Sequence, residues 1–75
     1  MLISKDAWVE IATADAIVQK ISTGNLLLCY AAAPPTTEDF FILAHSDETR
    51  QDAVSGSVLY AKGEIVDVEI TVNTV

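Results

Sequence analysis

Seventy-five residues with four Lys and Arg against eleven Asp and Glu, a net charge of −7, make one domain spanning 1–75 with no basic patch to neutralise phosphates. That excludes direct nucleic-acid binding and attraction to anionic membranes. One Cys and one His also exclude a disulfide framework and leave no ligand spacing of the C-x-x-C or H-x-x-x-H kind, so no metal or other cofactor is expected.

The chain opens with "MLISKDAWVE", which lacks the apolar run of a signal peptide. No stretch approaches the length of a bilayer span. The expectation is a chain made in a cytoplasm and starting at Met1. "AWVEIAT", residues 7–13, alternates, with Val9 and Ile11 on one face and Trp8 and Glu10 on the other. "AIVQKIS", residues 16–22, is predicted as the next strand, with Ile17 and Ile21 sharing a face. Thr23-Gly24-Asn25 is a turn cluster.

"LLLCYA", residues 26–31, is apolar on both faces and too short for a buried helix, which predicts a strand covered on both sides. Pro34-Pro35 bars helix and central strand. "FFILAH", residues 40–45, is a further short strand. "SDETRQDA", residues 46–53, is polar, and Ser46 or Asp47 is placed to cap a single helical turn.

The last third is predicted as a β-hairpin. Ser57–Ala61 forms its first strand, and Lys62-Gly63 its turn, with Gly63 at positive φ. From Glu64 onward Val66, Val68, Ile70 and Val72 point one way and Asp67, Glu69, Thr71 and Asn73 the other. About six mostly antiparallel strands at this spacing define an all-β fold, a small sandwich or barrel.

None of the reactive side chains converges on a catalytic arrangement, and the chain is not expected to be an enzyme. His45 has no nucleophile suggested by spacing. Cys29 lies in the most hydrophobic strand, where a free thiol behaves as a small apolar residue. Glu38-Asp39 and Asp47-Glu48 are carboxylate pairs that could hold a hard cation, but adjacent loop carboxylates are commonly only solvated. The acidic charge itself commonly means solubility; its sharper reading is an acidic inhibitor that blocks a host enzyme's basic groove.

A core this short buries only about 60% of the unfolded chain's surface, and 51% of the residues are hydrophobic. Association is therefore expected to cover the remainder. The candidate interface residues are Trp8, Tyr30, Phe40, Phe41 and Tyr60, as aromatic anchors, with Val66, Val68 and Ile70 on the long C-terminal strand, whose edge is a candidate for pairing with a neighbour.

The order of these segments resembles the short all-β virion proteins of tailed bacteriophages, the head decoration or cement proteins and head-fibre bases. A Trp-bearing first strand is followed by an apolar strand running into "YAAAPPTTEDF", and then by "SGSVLYAKG" before the alternating C-terminal strand. Gly56, Val58, Tyr60 and Ala61 are the matching positions; the apolar "FFILAH" departs from the pattern, where such proteins often have a Gly-containing turn. The resemblance covers Trp8 to Val72. It implies a structural, non-enzymatic protein on the capsid surface of a virion, present in many copies, bound to the major capsid protein and to copies of itself, often as a trimer. The other readings are the acidic inhibitor and a tail or fibre component that contacts a host surface.

Overall fold

The computed structural model describes residues 1–35, 41–43 (backbone) and 48–75. Among them are eight strands: β1 (Leu2–Ile3), β2 (Val9–Ala12), β3 (Ala16–Lys20), β4 (Leu26–Ala31), β5 (Phe41–Leu43), β6 (Glu48–Gln51), β7 (Val58–Gly63) and β8 (Val68–Thr74). They form two four-stranded antiparallel sheets, ordered β1-β8-β3-β6 and β2-β7-β4-β5. The fold is all-β and sandwich-like, and it is not a closed barrel.

The core lies between the sheets. Val18, Val68 and Ile70 come from the first sheet, and Leu26, Leu28, Leu59 and Ala61 from the second, with Ile3 and Ile11 completing the cluster. Alternation places them there, since every second residue of a strand faces inward. The accessible surface is 4400 Å², close to the roughly 4450 Å² that surface–mass scaling gives a folded monomer of this mass.

β4 has the predicted double burial: Leu26 and Leu28 face the core, while Leu27 and Cys29 are buried on the opposite side. On that side Tyr60 stands in register with Cys29, and Lys62 with Leu27. The ammonium of Lys62 lies 6.0 Å from the centroid of the Trp8 ring, within reach of the ring's negative face. β2 keeps Val9 and Ile11 toward the core as expected, with an irregularity between Glu10 and Ala12 where the register against β7 shifts.

Three expectations are corrected. The C-terminal hairpin does not form: β7 runs on through Lys62 and Gly63, and β8 begins only at Val68, in the other sheet. Both edges of β7 are already taken, by β2 and β4, so β8 has no edge there to join. Gly63 is also not at positive φ; Gly24 (115°) and Gly56 (79°) are. Gly56 serves a turn in which Ser57 N donates to Val54 O at 3.0 Å, and its φ is that of the third residue of a type II turn.

Next, residues 48–51 make a strand rather than a helical turn. β6 pairs with β3 from Ala16↔Gln51 to Gln19↔Glu48, so a long-range partner overrides the local capping signal. Finally, in β3 the inward residues are Ala16 and Val18; Ile17 is half-buried on the outer face and Ile21 lies exposed beyond the strand.

Tyr30 joins the two layers. Its hydroxyl donates to the Asp52 carbonyl oxygen at 2.7 Å, with Gln51 Oε1 at 3.1 Å sharing the same proton. Burial first, then the carboxylates of Asp52 and Asp15, raise its pKa above the ordinary value of about 10. A raised folded-state pKa favours the neutral phenol in the fold. Its contribution is complete below the unfolded value and is lost as pH rises through the folded one. Tyr30→Phe should therefore cost about 1 kcal/mol near neutrality and lessen the alkaline decline of stability. Denaturant titrations of both proteins across the alkaline range will check this; an unchanged midpoint would show that the hydroxyl ties nothing.

Candidate interaction surface

Exposed large apolar side chains are spread over Met1, Leu2, Ile21, Val54, Ile65, Val66 and Val75, and the most exposed of them, Ile65, lies with Val66 in the connection between β7 and β8, residues 64–67. Ile65 is 75% exposed and Val66 47%. They line a shallow groove of about 270 Å³ together with Gly24, Asn25 and Glu64. Exposed isoleucine is common enough singly. The support beneath this pair is the distinguishing feature.

Four hydrogen bonds pin the connection to its neighbours. Gly63 N donates to Ser4 O at 3.0 Å and Glu64 N to Asn25 O at 3.1 Å. Asn25 Nδ2 donates to Glu64 Oε1 at 3.0 Å, and Lys5 N to Asp67 Oδ1 at 2.9 Å. Gly63 makes the close approach possible, because a Cβ there would collide with the Val66 carbonyl oxygen. Gly24 meets the same loop: a Cβ would lie 2.8 Å from Val66 Cγ2. An apolar tip is thereby held out to solvent at low ordering cost, flanked in sequence by the carboxylates of Glu64 and Asp67.

Of the eight residues expected at an interface, Val66 is the one the described side chains place openly at the surface. Val68 and Ile70 are 0% exposed; as inward residues of β8 they belong to the core and have no surface to offer. Tyr60 is 5% exposed and is packed into the outer side of the second sheet beside Cys29. Trp8 is half-buried near Lys62, and Tyr30 is the tie between sheets. Phe41 begins β5, in register with Leu28, with its side chain outside the description. Phe40, His45, Glu38-Asp39 and Asp47 lie outside the described residues.

Ile65 was missed by sequence reasoning, although a signal existed. In the alternation from Glu64 it is an isoleucine out of phase, on what was to be the wet face. Among the described residues no group of three or more His, Cys, Asp or Glu could hold a metal ion, and no helix is long and apolar enough to cross a membrane.

Fold and surface together define a small acidic β-sandwich with a pinned apolar tip at one end. No family model, curated protein or solved structure matches the chain.

Proposed function

We propose that this chain is a structural virion protein of a tailed phage, which decorates or cements the capsid shell in many copies and has no catalytic role. The observation that carries the docking part is the pinned Ile65–Val66 tip. A preorganised apolar anchor loses little conformational freedom on binding. A few side chains seated in a partner's pocket carry most of an interface's free energy. The resemblance in segment order supplies the identity of the partner, the major capsid protein, the capsid surface as location, and the trimer as the expected assembly.

A second reading is favoured by the carboxylates beside the same tip. Glu64 and Asp67 on either side of the apolar pair would also suit an acidic inhibitor facing a host enzyme's basic groove. A tail or fibre component contacting the host differs from the main reading only in its position on the particle.

Ile65→Asp separates these readings from a bland surface loop. The side chain is exposed, so stability should change by no more than about 0.5 kcal/mol. In co-sedimentation with capsids lacking the protein, the wild type should pellet and the variant should bind at least about tenfold more weakly. Equal binding by both would remove the tip from the interface, and no binding by either would remove the capsid as partner.

A further inference from the structure

We infer that the groove beside the Ile65–Val66 tip takes an arginine side chain of the protein partner, its aliphatic stem along Ile65 and Val66 and its guanidinium on the Glu64 carboxylate. The inference rests on the tip being a docking point, and it holds whether the partner is a capsid shell or an enzyme.

Size is the first observation. At about 270 Å³ the groove falls below the roughly 300–1,000 Å³ of small-molecule sites, which suits a single side chain. Gly24 keeps one part of its wall bare: it sits at φ 115°, and a Cβ there would lie 2.8 Å from Val66 Cγ2. Ile65 and Val66 supply the apolar part of the lining.

Charge is the second observation. Asp6 is paired with Lys5 at 3.0 Å, and Asp15 and Asp52 both face Arg50, at 3.8 and 3.0 Å. Glu64 differs. Its Oε1 accepts from the neutral amide of Asn25 at 3.0 Å, and its main-chain N–H is tied to Asn25 O. Among the described residues no cation stands within ion-pair distance of its carboxylate. Lys20, near the groove at Gly24, gives its ammonium to the Gly24 carbonyl oxygen at 2.9 Å. Glu64 is therefore a carboxylate fixed in place with its charge uncompensated, at an apolar groove of a chain with net charge −7.

That combination selects among partner side chains. A purely apolar one would strip water from the carboxylate and leave it unpaired. An arginine covers apolar surface with its stem and keeps its charged head outside. Its guanidinium is less strongly hydrated than an ammonium and forks onto a carboxylate, which favours it over lysine. The Asn25 bond uses one of the carboxylate's roughly four acceptor positions, so room for the guanidinium remains.

The test is an amide-detected NMR titration of the full chain with acetyl-Gly-Arg-Gly-amide and with its citrulline counterpart, which has the same shape without the charge. The arginine peptide should shift the signals of Gly24, Asn25, Ile65 and Val66 saturably, in the millimolar range. The citrulline peptide, and Glu64→Gln given the arginine peptide, should bind about three- to fivefold more weakly, the factor an exposed ion pair carries. Glu64→Gln keeps the acceptor for Asn25 at an exposed position, so the rest of its spectrum should match the wild type. Glu10→Gln, at an exposed carboxylate outside the groove, should bind as the wild type does. Equal binding of the two peptides, undiminished binding by Glu64→Gln, shifts spread evenly over the exposed carboxylates, or no saturable shift would each overturn the inference. The docking reading is judged separately by Ile65→Asp on capsids: a loss there beside an unaffected Glu64→Gln would fail the arginine alone.

Discussion

Gly63→Ala is expected to cost about 3 kcal/mol or more, although it adds a single methyl group. The reason is local. Gly63 ends β7 where the chain folds back, and the space its Cβ would fill is occupied by the Val66 carbonyl oxygen, a backbone atom that cannot rotate away. Relief requires moving residues 64–67, which also strains the bonds from Gly63 to Ser4 and from Glu64 to Asn25. Gly56→Ala is the control. It has open space around it but sits at φ 79°, so its cost is the left-handed penalty of about 1–2 kcal/mol. Guanidinium titrations of the two variants give the order directly. Should Gly63→Ala prove the milder one, the tight fold-back beneath the apolar tip is wrong.

Leu28→Ala is expected to have an effect of similar size from a different source. Leu28 is fully buried in β4, between Ala61 of β7 and the register partner Phe41 of β5. Truncating a buried leucine removes its transfer free energy and leaves a cavity, together about 2–5 kcal/mol. A chain of this length holds about 4–11 kcal/mol of total stability at ordinary per-residue values, so the loss takes a large share of the fold. Leu2→Ala, at an exposed position of β1, should stay within about 0.5 kcal/mol. A shift in denaturation midpoint at unchanged slope would locate the effect in stability. Equal midpoints for Leu28→Ala and Leu2→Ala would contradict the assignment of Leu28 to the core.

Much of the strand content was legible because period-two alternation is local. Val9 and Ile11, the double-faced run from Leu26 to Cys29, and the inward set Val68, Ile70 and Val72 all follow from it. The pairing was not legible, because alternation shows which face a residue takes and is silent on which sheet its strand enters. "VLYAKG" and "VEITVNT" are neighbours in sequence, and Lys62-Gly63 is a plausible turn between them. Only the long-range occupation of both β7 edges by β2 and β4 sends β8 to the other sheet.

β6 was hidden for a related reason: "ETRQ" is polar and favours a helical turn locally, and it becomes a strand through its pairing with β3. β1 is too short to show any period.

The surface was less legible than the fold. Aromatic side chains were expected outside because they dominate interfaces, yet Tyr60 fills the flank of β7 and Tyr30 spans the layers. The apolar tip came instead from Ile65, whose exposure depends on the chain turning at Gly63. No pattern in the sequence marks that turn as a crossover between sheets.

The proposed capsid role is tested most directly by quantitative mass spectrometry of tailed-phage particles purified from a culture that makes this chain. The capsid reading predicts this protein in many copies per particle, at a fixed ratio to the major capsid protein, retained through purification. Its absence from the particles, with the protein abundant in infected-cell extract, would contradict that reading and leave the acidic inhibitor as the one to pursue.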